Sequence, residues 1–123
     1  MDGFDPNIPI YIQILHSIKQ GIVSGTLKQG EKLNSVREYA ESLAVNPNTV
    51  QRAYQELERE GITETRRGMG SFISEKESLV TELRSEMAES VLDGFLQGMT
   101  ALGFTGTEII NEVTQRVQRR DQI

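Results

Sequence analysis

The stretch from Ser35 to Ile73 constrains the fold more tightly than any other part of this 123-residue chain. It holds two runs of helical periodicity, with signals between them that stop one helix and start the next. Ser35 followed by Glu38 is a capping box, in which each side chain satisfies an amide at the helix start. Val36, Tyr39, Ala40 and Leu43 then recur at helical spacing, which carries the first helix to Ala44. Val45 bridges to Asn46, a good N-cap, and Pro47 takes the first helical position, where its missing N–H costs nothing. The second helix turns Val50, Ala53, Tyr54 and Leu57 inward and stops at Gly61. Two helices joined this tightly read as a helix-turn-helix.

The outer face of the second helix is then specified by subtraction. Asn48, Thr49, Gln51, Arg52 and Gln55 alternate with the apolar set. Amide and guanidinium side chains can bond base edges in pairs, and the first turn of such a helix is the part that reaches them. A solvated helix face shows the same polarity, so the neighbouring element decides. Thr63-Glu64-Thr65 and Ser71-Phe72-Ile73 are short β-prone runs around Arg66-Arg67-Gly68-Met69-Gly70. They read as a hairpin with both arginines at its tip, placed to meet phosphate or a minor groove.

At these residues the chain resembles the DNA-binding domain of GntR-family bacterial transcription regulators. The likeness runs from residue 9 to 75. It is carried by Gly30, by Leu33-Asn34-Ser35-Val36-Arg37-Glu38, by Val45-Asn46-Pro47-Asn48-Thr49-Val50, by Ala53-Tyr54, by Glu60-Gly61-Ile62 and by Arg66-Arg67-Gly68-Met69-Gly70-Ser71-Phe72-Ile73. The Asn46–Tyr54 run and the short C-terminal tail look most like the YtrA subfamily. Asn34 departs from the family's proline, and Thr63 stands where an aliphatic residue is common, which is expected to weaken packing at the hairpin base. The resemblance implies DNA contacts from Arg37, from Asn46, Asn48, Thr49 and Gln51 at the start of the recognition helix, and from Arg52 to phosphate. It also implies wing contacts from Arg67 and Gly68, with Arg66 and Gly70 beside them.

Charge is the awkward feature. The net charge is −5, whereas DNA-binding domains are usually basic. Residues 1–74 hold eight basic and nine acidic side chains, and residues 75–123 hold five and nine, so the excess acid lies in the tail. Affinity for DNA depends on where charge sits, because it comes from neutralising local phosphates. Arg37, Arg52, Arg66 and Arg67 can form one basic face, and a dimer is expected to be needed for useful affinity.

The flanks complete the plan. Pro6 and Pro9 break the first residues, and Phe4 is placed to tuck onto the domain. A helix from Ile10 to Gly25 carries Tyr11, Ile14, Leu15, Ile18, Ile22 and Val23 as a broad apolar stripe, with His16 at its edge. Residues 26–33 are a connector whose Leu33, by the family resemblance, pairs with the wing. Past Glu75-Lys76-Glu77, read as a charged hinge, Leu79, Leu83, Met87, Val91, Phe95 and Met99 keep a helical stripe, joined by Leu92, Leu96 and Leu102 and stopped at Gly103. Thr105 and Glu108 form a second capping box, and Ile109, Ile110, Val113 and Val117 follow on a shorter helix. This helical hairpin is wider in apolar surface than one short partner covers, which points to a two-fold dimer. Leu83, Met87, Val91, Phe95 and Met99 are its expected dimerisation face. Gly94 and Gly98, four apart, permit close helix approach or a small pocket, or simply weaken the helix. Phe95, Met99 and Phe104 form either core or a pocket for a small-molecule effector.

The expected architecture is mainly α, a winged helix-turn-helix over residues 1–75 and a C-terminal helical dimerisation region over 76–123. The expected function is a dimeric, sequence-specific DNA-binding repressor acting on a palindromic operator, for which the subfamily suggests a transporter operon. The competing reading is a winged-helix protein-interaction module, which the four arginines oppose. With no cysteine, one histidine and no metal-spaced or phosphate-loop cluster, the chain has little with which to build an enzyme, a metal site or a cofactor site. No signal peptide or membrane-spanning run is apparent, and a cytoplasmic protein is expected.

Overall fold

The structure, a computed structural model, describes residues 3–122. It divides into two units, residues 1–84 and 85–123. The first opens with α1 (Ile10–Ser24), followed by α2 (Val36–Leu43) and α3 (Pro47–Arg59), and then the strands β1 (Thr63–Arg66) and β2 (Gly70–Ile73). Helix α4 (Leu79–Ala101) begins in this unit and continues into the second, which also holds α5 (Gly106–Asp121).

Local signals set these boundaries. Ser35 and Glu38 close a reciprocal capping box on α2, with the Ser35 amide donating to Glu38 Oε1 at 2.9 Å. Asn46 caps α3 by accepting from the Asn48 amide at 2.8 Å, and Pro47 follows as expected. At the far end of α3 the Ile62 amide donates to the Leu57 carbonyl and the Gly61 amide to that of Glu58, a paired closure that turns the chain into β1. Thr105 and Glu108 repeat the capping box on α5.

The core of the first unit lies where α1, α2 and α3 meet. Ile14, Ile18, Val50, Leu57 and Ile73 are fully buried. Each such side chain contributes roughly 1.5–3 kcal/mol relative to exposure. Phe4, Tyr11 and Leu15 pack at its edge, so the N-terminal segment does tuck in. β1 and β2 pair antiparallel, with Thr63 opposite Ile73 and Arg66 opposite Gly70. The connector adds a third rung. Lys32 bridges Phe72, the Leu33 amide donates to the Ser71 carbonyl at 2.9 Å, and the Ile73 amide donates to that of Glu31. Thr63 is 3% exposed, so the residue expected to loosen the hairpin base is instead part of the packed wall.

Two expectations are corrected. The first unit extends past residue 75, because Leu79, Val80 and Leu83 in the first turns of α4 pack into its core. The Glu75-Lys76-Glu77 segment is tied down as well: Gln29 Nε2 donates to the carbonyls of Ser74 at 3.1 Å and Lys76 at 2.7 Å. Leu83, expected on the dimerisation face, is 3% exposed within this core and is not free to meet a partner.

In the second unit Ile109 is buried, and Met87, Phe95, Met99 and Phe104 are half-buried. Val91, Leu92, Leu96, Leu102, Ile110, Val113 and Val117 are all exposed, Val91 at 70%. A methyl group added at Gly94 or Gly98 would meet nothing within 4 Å. No described helix is long and apolar enough to cross a membrane.

Candidate nucleic-acid interface

Helix α3 separates its two faces completely. Val50, Ala53, Tyr54 and Leu57 are buried, while Asn48, Gln51, Arg52 and Gln55 are exposed and Thr49 is half-buried. The buried face is fixed at mid-helix by Tyr54, whose hydroxyl donates to the Asn34 carbonyl at 2.7 Å, and burial pushes that phenol well above its ordinary pKa. This bond also anchors the connector just ahead of α2, at the position where Asn34 replaces proline. Tyr39 of α2 leans on Tyr54 with ring centroids 6.0 Å apart, and burial raises its pKa too.

At the start of α3, Asn46 spends its carbonyl oxygen on the cap, which leaves its amide nitrogen for other work. Asn48, Thr49 and Arg52 line a shallow cleft of about 440 Å³ together with Ile10 and Tyr11 from the start of α1. The Arg52 guanidinium lies 3.8 Å from the centre of the Tyr11 ring. In the sequence Tyr11 belongs to the α1 stripe and nothing signals this role, because the contact joins elements far apart in the chain and no local period marks it.

The wing presents the second group. Arg66 stacks on Phe72 at 4.1 Å from its ring centre. Arg67 and Gly68 sit in the turn between the strands, where Gly68 has φ +76° and the Met69 amide donates to the Arg66 carbonyl at 2.8 Å. Gly70 follows with φ +110°. Arg37 lies exposed in the first turn of α2. Next to it, the backbone and hydroxyl of Ser35 and then the charge of Lys32 hold the Glu38 carboxyl below its ordinary pKa.

Placement resolves the charge problem. The acids of α3 stand at its C-terminal end, where Glu56 pairs with Arg59 and Glu60 meets Lys19 at 2.9 Å. From Asn48 to Glu58 a helix rises about 15 Å, beyond the screening length of roughly 8–10 Å at ordinary salt. Arg37, Arg52, Arg66 and Arg67 make no ion pair among the described residues.

The sequence profile of the bacterial regulatory proteins of the gntR family matches residues 10–73. The chain belongs to the GntR family. It is 47% identical over 110 residues to the uncharacterised HTH-type transcriptional regulator YhcF of Bacillus subtilis, covering 89% of this chain and 91% of that protein. It is 43% identical over 107 residues to the HTH-type transcriptional repressor YtrA of the same organism, covering 80% and 82%. A GntR family transcriptional regulator from Listeria monocytogenes superposes with a TM-score of 0.84 at 43% identity, over 91% of this chain and 98% of that one. The chain is thus a GntR-family transcription regulator with a DNA-binding winged helix-turn-helix, and its likeness to YtrA extends past that domain into the helical tail.

Proposed function

We propose that this GntR regulator is a homodimeric repressor in the cytoplasm that binds a palindromic operator. The observation that carries the reading is the exposure of the expected contact residues. Arg37, Asn46, Asn48, Gln51, Arg52, Arg66, Arg67, Gly68 and Gly70 are exposed and Thr49 is half-buried, on a scaffold whose opposite faces are packed. The first turn of α3 enters the major groove, where Asn48, Thr49 and Gln51 read base edges. Arg37 and Arg52 hold phosphate, and Arg67 with Gly68 brings the wing to the minor groove. These contacts position the domain more than they read sequence.

The second unit dimerises through the apolar residues it leaves exposed, with Val91 beside Leu92 and Leu96 and with Met87 and Phe95 at the margin. Leu83 drops out of that set. Two-fold pairing fits a palindrome, because each half-site then meets one recognition helix. The cleft of about 260 Å³ lined by Phe95, Met99, Glu112, Val113, Arg116 and Val117 is where a small-molecule effector would bind. Such a ligand acts only by favouring one arrangement of the dimer over another. The repressor role follows the name of YtrA, and control of a transporter operon follows the subfamily resemblance.

Selection of bound duplexes from a random pool tests the reading. An inverted repeat is expected, and Arg52→Ala and Arg67→Ala are each expected to weaken binding to it about tenfold without changing the fold. No enriched sequence, or undiminished affinity in both variants, contradicts the docking.

A further inference from the structure

Lys32 lies in the connector, outside every element expected to touch DNA. It pairs with Phe72 as the outer rung of the wing sheet, and its side chain runs across Gly70. A Cβ built on Gly70 would sit 2.9 Å from Lys32 Cε and 3.8 Å from Nζ. The stem therefore occupies the space that the absent side chain leaves. The ammonium group is also near enough to Glu38 to favour its ionised form. Lys32 thus stands between the wing and the first turn of α2, which carries Arg37.

Its acidic neighbours are otherwise engaged. Glu38 Oε1 accepts from the Ser35 amide, and Glu31 is turned back to accept from the Lys28 amide at 3.0 Å. Glu64 lies on the far side of Phe72 in the sheet. Lys32 is exposed and forms no ion pair among the described residues. A lysine laid along a glycine, held in no ion pair and placed between the wing and the arginine of α2, suits a backbone phosphate running between them.

We propose that Lys32 is a further DNA-phosphate contact, delivered across Gly70 into the gap between the wing and α2. The contact rests on the docking described above. It is sequence-independent, and it links the contacts of Arg37 to those of Arg67 along one strand.

The test is the salt dependence of affinity for the selected operator and for an unrelated duplex, measured with the full chain. Lys32→Gln is expected to flatten the slope of log affinity against log salt by about 0.9 per chain and to weaken both duplexes by the same factor. Lys32→Arg is expected to restore the slope. Lys28→Gln removes an equal charge from an exposed side chain that lies by Gly25 at the end of α1, and is expected to leave the slope unchanged. A steep wild-type slope untouched by Lys32→Gln, or reduced equally by Lys28→Gln, overturns the contact alone. A wild-type chain that binds neither duplex overturns the docking and the contact together.

Discussion

Ala44 is the one non-glycine with positive φ among the described residues, at φ 56° and ψ 47°. It sits in the turn between α2 and α3, where the Val45 amide donates to the Ala40 carbonyl at 3.0 Å and the Ala44 amide to that of Glu41 at 3.3 Å. The same pair of bonds closes α3 and α4, but there the left-handed residue is Gly61 or Gly103. An L-residue in this conformation costs about 1–2 kcal/mol, and Ala44 is exposed with no packing to offset it. Ala44→Gly is therefore expected to raise the unfolding free energy by about 1 kcal/mol, read as a higher urea midpoint with unchanged slope. A lower midpoint would show that the turn is not strained. Stacking marks the other notable residues. Tyr11 and Phe72 each hold an arginine in place, and a pre-positioned guanidinium loses less freedom on meeting a phosphate.

Element by element, local signals were legible where their partners lie within a few residues. The two capping boxes, the Asn46-Pro47 start of α3 and the glycine stops all appear as read. The pairing of Leu33 with the wing, taken from the family resemblance, appears as well. What the sequence could not show is which partner a stripe meets. The α4 stripe runs unbroken from Leu79, yet Leu79 and Leu83 face the core of the first unit while Val91, Leu92 and Leu96 face solvent. A period of 3.6 reports that one face is apolar and is silent about what covers it. The arginine stacks on Tyr11 and Phe72 were hidden for the same reason. This gives a clean contrast in α4. Leu83→Asp buries a charge and is expected to unfold the first unit, a loss of several kcal/mol seen by thermal melting. Leu96→Asp is expected to leave helix content intact and yield monomer by sedimentation. A folded, dimeric Leu83→Asp protein, or a fully dimeric Leu96→Asp protein, would contradict this division of labour.

For the whole molecule, the division explains how an acidic chain serves as a DNA-binding regulator. The excess acid stands in residues 75–123, and Glu56, Glu58 and Glu60 stand at the end of α3 remote from its polar first turn, where Glu56 pairs with Arg59 and Glu60 with Lys19. A single first unit offers few phosphate contacts, and the proposed dimer would double them across its two-fold axis. The most direct test is a stoichiometric titration of the selected palindrome beside a duplex that holds one half-site. Two chains per palindrome are predicted, with binding to the half-site weaker by at least about a hundredfold. One chain per duplex, with equal affinity for both, would contradict a dimeric regulator and leave the helical tail without the role assigned to it.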